Sequence, residues 1–154
     1  MIQIPLSLAQ GPCWELENRK IDSTMFLQII APSFPEATTA FFEGSCIAPE
    51  VVQIFERYID PGPYLPKAQT IWSTGRIEQF RCRFTAELCQ ALVRASLHHA
   101  EPELFDHLFL YVLHMPLLEW PDAFSNCIWI AASVSATRID AFAGKLGMRF
   151  KYVK

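Results

Sequence analysis

Three times along this 154-residue chain, a stretch that fits a β-strand runs directly into an amphipathic helix. The three units span Phe41–Ile59, Phe80–His99 and Ile128–Leu146. The first helix has five apolar residues at the spacing that lines one helix face: Val51, Ile54, Phe55, Tyr58 and Ile59. The units share no residue signature, so they are not sequence repeats. Each helix must bury its apolar face against another element, and the preceding strands can supply that surface.

The N-terminal third of the chain predicts further strands. Trp14–Ile21 alternates apolar and charged residues, and Met25–Ala31 is a nearly continuous apolar run that ends before Pro32. Short apolar stretches bounded by turn residues are typical of strands. We therefore predict strands at both places, with Met1–Leu8 before them and Thr38–Ile47 after them.

The stretch Leu104–Leu113 is apolar almost throughout, and such a run fits either a buried strand or a buried helix. Its short length favours a strand, which we expect to pair with Leu117–Trp120. Strands are also predicted within residues 71–84, 127–133 and 148–153, where apolar and polar residues alternate or β-branched residues cluster.

The length fits one domain over residues 1–154, with a fold of the α+β class. We predict a mainly antiparallel sheet of six or more strands, with about three amphipathic helices packed largely on one side. The chain is 51% hydrophobic and 19% charged, against an average charged content of about 25%. A small chain this apolar has little polar surface, so we expect a homo-oligomer to cover part of the excess.

Charge is unevenly placed along the chain. Residues 1–137 carry 8 basic and 15 acidic side chains, whereas residues 138–154 carry 5 basic side chains and one acidic one. An acidic body with a basic C-terminal element can pair with itself or with a basic partner, but it attracts phosphate backbones poorly. In the strand before helix two, Phe80 and Phe84 alternate with arginines and so lie on the opposite face. Nucleic-acid binding is therefore not expected.

The five cysteines do not suggest a disulfide framework. Their number is odd, their spacings are wide and no C-x-x-C occurs, which also disfavours a zinc ribbon. Free thiols fit a reducing compartment, and the N-terminus has no signal-peptide layout. No apolar run approaches the roughly 18–20 residues that cross a bilayer. We expect a cytoplasmic protein with no membrane contact.

All four histidines lie in a segment between Arg94 and Arg138 that contains no lysine or arginine. They are His98, His99, His107 and His114. The segment fits a buried core, a contact surface that responds to pH, or a site built from imidazole and carboxylate. The spacing matches no standard zinc pattern, since neighbouring helical residues point about 100° apart. We therefore predict no metal site and no cofactor.

Cys46 is the best candidate for a nucleophile. It precedes helix one, and a helix N-terminus lowers the pKa of a thiol. A histidine of residues 98–114 could serve as its base, with Asp106 or Glu101 orienting the imidazole. The arrangement to look for is a convergence of Cys46, His107 and Asp106 within hydrogen-bond reach. The alternative is that Cys46 is an inert apolar residue at the end of a strand.

Aromatic and apolar residues in loop settings are candidate contact anchors. Tyr64 and Leu65 lie in a loop with three prolines, and Trp120 and Phe124 flank another turn. Exposed aromatics in stiff loops bind partners well, although each could instead fold back as a lid on the core.

Together these features predict a small acidic binding protein that acts through protein contacts, such as an oligomeric accessory, an inhibitor or an immunity-type protein. No complete catalytic motif is present. The alternative is an enzyme, a hydrolase or a transferase, that uses Cys46 or a histidine of residues 98–114.

Overall fold

A computed structural model describes residues 7–17, 19–62, 65, 76–124 and 127–154. Its seven strands are β1 (Cys13–Leu16), β2 (Thr39–Gly44), β3 (Glu78–Arg83), β4 (His107–Val112), β5 (Met115–Trp120), β6 (Ile128–Ala131) and β7 (Phe150–Val153). Its helices are α1 (Ser23–Ser33), α2 (Pro49–Arg57), α3 (Ala86–Ser96), α4 (Glu101–Leu104) and α5 (Ala136–Leu146), with a short 3-10 helix at Leu8–Gln10. The strands form one antiparallel sheet in the order β3-β2-β4-β5-β6-β1-β7, which confirms the predicted α+β class.

The helices cover one face of this sheet, here called the helix face. Phe42 of β2 stacks on Phe55 of α2 with 4.4 Å between ring centroids, and Trp120 of β5 lies 4.3 Å from Phe26 of α1. Phe142 of α5 in turn packs against Phe26. Burying a side chain of this size contributes about 1.5–3 kcal/mol, so these rings hold the helices on the sheet.

The opposite face, here called the second face, carries the residues that alternate with this core. Three of its ionisable side chains are buried: Glu43, His107 and Glu119. Glu43 accepts a hydrogen bond from Gln79 of the neighbouring strand at 2.9 Å. Leu65, Phe109 and Tyr111 form a separate apolar cluster on this face. The sheet is therefore buried on both sides in its middle strands, as the continuous apolar run of β4 requires.

The strand predicted at Met25–Ala31 is wrong, because these residues lie in α1. Asp22 caps the helix by accepting a hydrogen bond from the Met25 amide at 2.8 Å. The helix buries Phe26, Leu27 and Ile30 on one side. A nearly continuous apolar run hides the helical period, so the cap at Asp22 was the more informative signal.

The other predicted elements agree in type with the structure where it describes them, but β1 ends at Leu16, short of the predicted end at Ile21. Thr85 caps α3 by accepting from the Leu88 amide at 3.1 Å, and α5 ends at Gly147, whose φ of 66° is left-handed. The hairpin of β4 and β5 confirms the strand interpretation of the apolar run. The predicted strand Met1–Leu8 and the start of the one at 71–84 lie largely outside the described residues. Helix α4 and α1 raise the helix number above the three predicted.

The two edges of the sheet are finished differently. At β3, two outward backbone groups are bonded to the segment after α2: the Asp60 amide donates to the Arg81 carbonyl at 2.9 Å, and the Arg83 amide donates to the Tyr58 carbonyl at 2.8 Å. At the other edge, β7 pairs with β1, and no other described strand continues the sheet beyond it. The segment after α2 thus closes one edge, while the described chain leaves the other open.

Candidate functional site

A cleft of about 850 Å³ lies where the β4–β5 hairpin approaches the start of α5. Its wall is largely apolar, with Val112, Leu117 and Val134 at its sides. Its volume falls within the range of roughly 300–1,000 Å³ that is typical of ligand sites. At its rim stand Leu113 and Met115, whose side chains are 67% and 66% exposed. Two large apolar side chains beside an apolar recess form a surface suited to a protein contact.

The hairpin turn holds Leu113 in an unfavourable backbone conformation. Its φ is 56°, in the left-handed region where glycine or asparagine is preferred. The Leu113 amide donates to Thr38 Oγ1 at 2.8 Å, and the Thr38 amide donates to the Tyr111 carbonyl at 2.8 Å. These bonds fix the turn from the side of β2. Folding stability does not explain why an exposed leucine occupies a position that suits glycine. Residues held in strained backbone conformations cluster at functional sites.

Charges at the cleft compensate each other. Arg138 Nη2 lies 2.6 Å and 2.8 Å from the two carboxylate oxygens of Glu36, and it also donates to the Ser33 carbonyl at 3.0 Å. The Arg138 guanidinium lies 5.6 Å from the centroid of the Phe34 ring. This arrangement ties the start of α5 to the end of α1 and leaves the cleft without a net charge from this pair. An uncharged apolar group therefore fits the cleft better than an ion.

The N-terminal wall of the cleft depends on Glu119. Leu8 lines the cleft, and Glu119 Oε2 accepts hydrogen bonds from the Leu8 amide at 3.0 Å and from Ser7 Oγ at 2.8 Å. Burial raises the pKa of Glu119 above its ordinary value, and the two hydrogen bonds offset part of this effect. The buried Glu119 carboxylate on the second face of β5 thus holds the segment that includes the 3-10 helix against the sheet.

The predicted contact anchors are buried where the structure describes them. Leu65 packs with Phe109 and Tyr111 on the second face. Trp120 and Phe124 are 0% and 3% exposed, and their rings lie 4.7 Å apart within the helix-side core. Leu65, Trp120 and Phe124 therefore fold back onto the interior of the protein and do not stand exposed as contact anchors. Tyr64 lies outside the described residues.

The structure brings Asp106 next to the loop that carries Cys46. Asp106 Oδ2 accepts from the Ser45 amide at 3.0 Å and lies 3.4 Å from Ser45 Oγ, which is 3.9 Å from Cys46 Sγ. Cys46 precedes α2, as the sequence predicted, and the structure shows that it is exposed. Asp106 therefore holds the loop after β2 in place, and its carboxylate points to this loop.

His107 has a different position, on the second face of the sheet. Its ring is buried, and Nδ1 accepts a hydrogen bond from the Asp122 amide at 2.8 Å. The neutral ring must then carry its proton on Nε2, since Nδ1 serves as an acceptor. The turn that it holds contains two non-glycine residues with left-handed backbone, Asp122 (φ 48°) and Phe124 (φ 71°). This contact gives His107 a clear structural role, and its catalytic role stays a prediction.

The other histidines are dispersed. His99 Nε2 lies 2.7 Å from Glu50 Oε2 and its Nδ1 lies 3.7 Å from Glu103 Oε2, so it links α2 to α4. His98 is exposed, and His114 lies at the rim of the hairpin cleft. Within the described part of the chain, no group of three or more histidine, cysteine or acidic side chains is placed to hold a metal ion.

The thiols differ strongly in their surroundings. Burial raises the pKa of both Cys82 and Cys89 to about 12, so these two thiols stay protonated near neutral pH. Burial also raises the pKa of Cys13, helped by the nearby Glu15 carboxylate. Cys46 is exposed and Cys127 is half-buried. A thiol reagent should therefore reach Cys46 first.

Leu113 and Met115, the two exposed apolar residues at the rim of the cleft, could not be identified from the sequence pattern that we used. Their signal was the absence of glycine or asparagine in a two-residue hairpin turn, where those residues are usual. No protein-family model, curated protein or solved structure matches this chain. Among the described helices, none combines the length and the apolar character that a membrane span needs.

Proposed function

We propose that this chain is a binding protein that acts through protein contacts, as an oligomeric accessory, an inhibitor or an immunity-type protein. Its contact surface is the hairpin cleft, and the occupant is an apolar side chain presented by another protein. One observation carries this proposal: Leu113 and Met115 are about two thirds exposed at the rim of an apolar cleft. Central apolar anchors in a recess provide most of the binding energy of many interfaces.

The chemistry of the cleft supports an apolar occupant. The ion pair of Arg138 with Glu36 is satisfied within the chain, so it offers little to a charged ligand. The exposed rim supports a protein more than a small molecule, because small ligands are usually enclosed over 70–90% or more of their surface. We place the protein in a reducing compartment such as the cytoplasm, since Cys13, Cys46, Cys82 and Cys89 are free thiols.

The enzyme alternative has less support from the geometry. A thiol nucleophile needs a nearby base with a free lone pair, and Nδ1 of His107 already accepts the Asp122 amide. A hydrolase or transferase that uses Cys46 stays a prediction. Replacing Cys46 with alanine tests it, because loss of a measured activity with an unchanged melting temperature would support catalysis.

Site-specific photo-crosslinking tests the proposed function. A benzophenone amino acid is placed at position 113, and a matched control carries it at position 97, where Leu97 has the same 67% exposure. In cells that express the protein, we expect a discrete crosslinked protein from position 113 that is absent from position 97. Adding Met115→Asp should suppress it. Equal crosslinking at both positions, or none at position 113, would contradict the proposal.

Sedimentation velocity then distinguishes the two kinds of occupant. Leu113→Asp and Leu97→Asp are compared with the unmodified protein across a concentration series. A dimer that is lost only in Leu113→Asp would identify the occupant as a second copy of this chain. A monomer throughout, together with the crosslink from position 113, would support a different protein as the partner.

A further inference from the structure

The open edge strand β7 has a defined set of outward backbone groups. Its register pairs Glu15 with Lys151 and Leu16 with Phe150. The Glu17 amide donates to the Arg149 carbonyl at 3.0 Å, which marks that pair as hydrogen-bonded. Hydrogen-bonded pairs alternate along antiparallel strands, so Lys151 directs its backbone to β1 whereas Phe150 and Tyr152 direct theirs outward. An added strand would pair with Phe150 and Tyr152.

The side chains of β7 divide into a basic face and an aromatic face. On the second face, Lys151 Nζ lies 3.4 Å from Glu15 Oε1, and the Lys151 side chain remains 71% exposed. On the helix face, the rings of Phe150 and Tyr152 lie 5.9 Å and 5.0 Å from Trp14. Tyr152 is 45% exposed, so part of its ring is available to a neighbour.

We propose that β7 is a docking edge for an extended acidic segment of a partner protein, which adds an eighth antiparallel or parallel strand to the seven described. The segment alternates acidic residues with aromatic or β-branched ones. Its acidic residues lie beside Lys151 and Arg149 on the second face, and its apolar residues continue the row of Trp14 and Tyr152 on the helix face. This surface is separate from the hairpin cleft, so the two proposals stand or fall independently.

Charge complementarity selects this partner. Residues 138–154 hold 5 of the 13 basic residues of the chain and only one acidic residue. An acidic side chain next to Lys151 would extend the existing row in which Glu15 already occupies the other side. Cross-strand pairs of opposite charge stabilise a sheet, and like charges directly opposite each other destabilise it.

The same rule disfavours a second copy of this chain in the register centred on Lys151. If two copies paired antiparallel around Lys151, the two Lys151 side chains would face each other in a directly opposed pair. The neighbouring Arg149 and Lys154 are exposed and would add to the repulsion. A lysine on an edge strand is a common means of preventing self-association. The same lysine still permits pairing with an acidic strand of a partner.

Amide-resolved NMR of the full chain provides the test, with a short acetylated peptide that alternates glutamate with valine and phenylalanine as the probe. We expect the amides of Phe150 and Tyr152 to shift on titration and to exchange more slowly with solvent. The amides of Lys151 and Val153 should exchange slowly both with and without peptide, because they already bond to β1. A peptide with lysine in place of glutamate is the matched control and should bind at least roughly tenfold more weakly.

Two variants separate the backbone contribution from the charge contribution. Tyr152→Pro removes an outward amide donor without removing a bond to β1, and Tyr152→Val keeps the donor and serves as its control. We expect Tyr152→Pro to abolish peptide binding and Lys151→Glu to weaken it at least roughly tenfold. Slow exchange at the Val153 amide reports that β7 remains in the sheet in each variant.

Four results would overturn the proposal. The first is equal binding of the glutamate and lysine peptides. The second is undiminished binding by Tyr152→Pro. The third is a dimer of the unmodified protein that protects Phe150 and Tyr152. The fourth is protection of these amides by a single-stranded oligonucleotide and not by the acidic peptide, which would assign the basic edge to nucleic acid.

Discussion

The two edges of the sheet solve the same physical problem in opposite ways. An edge strand exposes unpaired amides and carbonyls, which must bond to water, to the chain itself or to a partner. At β3, residues Tyr58–Asp60 turn back after α2 and bond to Arg81 and Arg83. At β7, Phe150 and Tyr152 direct their amides away from β1, and no described strand receives them. The bonds at the closed edge stabilise the fold, whereas the edge that the described residues leave open is the one at which we propose binding.

We group the hairpin cleft with the open edge as the open side of the molecule, because both present exposed groups to a partner. The cleft lies at the turn between β4 and β5 and beside the end of β6, and its rim residues Leu113 and Met115 are about two thirds exposed, whereas Ile59 at the closed edge is 39% exposed. A substitution at the closed edge should therefore change the free energy of unfolding. A substitution on the open side should change binding and leave stability nearly constant, or even raise it.

A matched pair of proline substitutions gives the largest expected contrast. Arg83→Pro removes the amide that donates to Tyr58, whereas Tyr152→Pro removes an outward amide at the other edge. We expect Arg83→Pro to lower the free energy of unfolding by roughly 2–3 kcal/mol, because a hydrogen bond is lost and the Tyr58 carbonyl loses its donor. Tyr152→Pro should change it by less than about 1 kcal/mol. Urea unfolding of both variants measures the difference, and similar losses would break the comparison.

The N-terminal wall of the hairpin cleft depends on the buried carboxylate of Glu119. Glu119→Ala removes the acceptor of the Ser7 and Leu8 hydrogen bonds, so we expect a loss of about 1–3 kcal/mol in the free energy of unfolding. The crosslink from position 113 should weaken with it, since Leu8 forms part of the cleft wall. An unchanged free energy of unfolding would show that these two hydrogen bonds do not stabilise the fold.

The pH dependence of the same group has a definite sign. Burial raises the pKa of Glu119 in the folded chain, so the folded state retains a proton that the unfolded state has already lost. Stability should therefore fall as pH rises from the ordinary glutamate pKa through the raised one. Glu119→Gln keeps an acceptor oxygen but cannot ionise, and it should remove this part of the slope. Thermal unfolding of both proteins across that pH range is the measurement.

Leu113→Gly should stabilise the protein while it impairs binding. Glycine adopts the positive φ of this turn without strain, and the leucine that it replaces buries little surface. We expect a gain of about 0.5–1 kcal/mol in the free energy of unfolding. The variant should also lose the partner that a benzophenone at position 115 captures. A loss of stability would show that Leu113 packs against its own chain more than its exposure indicates.

The smallest expected effect is at Lys151. Its ion pair with Glu15 is largely exposed, and such pairs contribute little to folding. Lys151→Ala should change the free energy of unfolding by less than about 0.5 kcal/mol, whereas it should weaken binding of the acidic peptide. Parallel measurements of unfolding and of peptide titration would separate the two roles of this lysine.

Much of the fold could be predicted from local sequence, because most elements carry clear signals. The caps at Thr85 and Ser135, the glycine after α5 and the alternation along β3 each mark an element that the structure contains. Helix α1 could not be predicted from its pattern, since an apolar run buried between other elements shows neither period. Its cap at Asp22 resembled a turn signal.

The candidate site was harder to predict, because it depends on tertiary exposure. Aromatic residues in turns are good contact anchors only if they face solvent, and Trp120 and Phe124 instead fill the core. The sequence named Cys46, His107 and Asp106 only as residues that the fold could bring together, and it carried no signal for the contact of Asp106 with the Cys46 loop. The position of His107 could not be predicted either, since the face of a strand that a residue occupies depends on register.

Amide hydrogen exchange of the free protein tests most directly whether the chain closes one edge and leaves the other open. We expect the outward amides at the closed edge, those of Asp60 and Arg83, to exchange slowly, as bonded amides do. The amides of Phe150 and Tyr152 should exchange quickly, while those of Lys151 and Val153 on the same strand exchange slowly. Slow exchange at Phe150 and Tyr152 in the monomeric protein would show that another part of the chain covers β7 and would contradict the open edge.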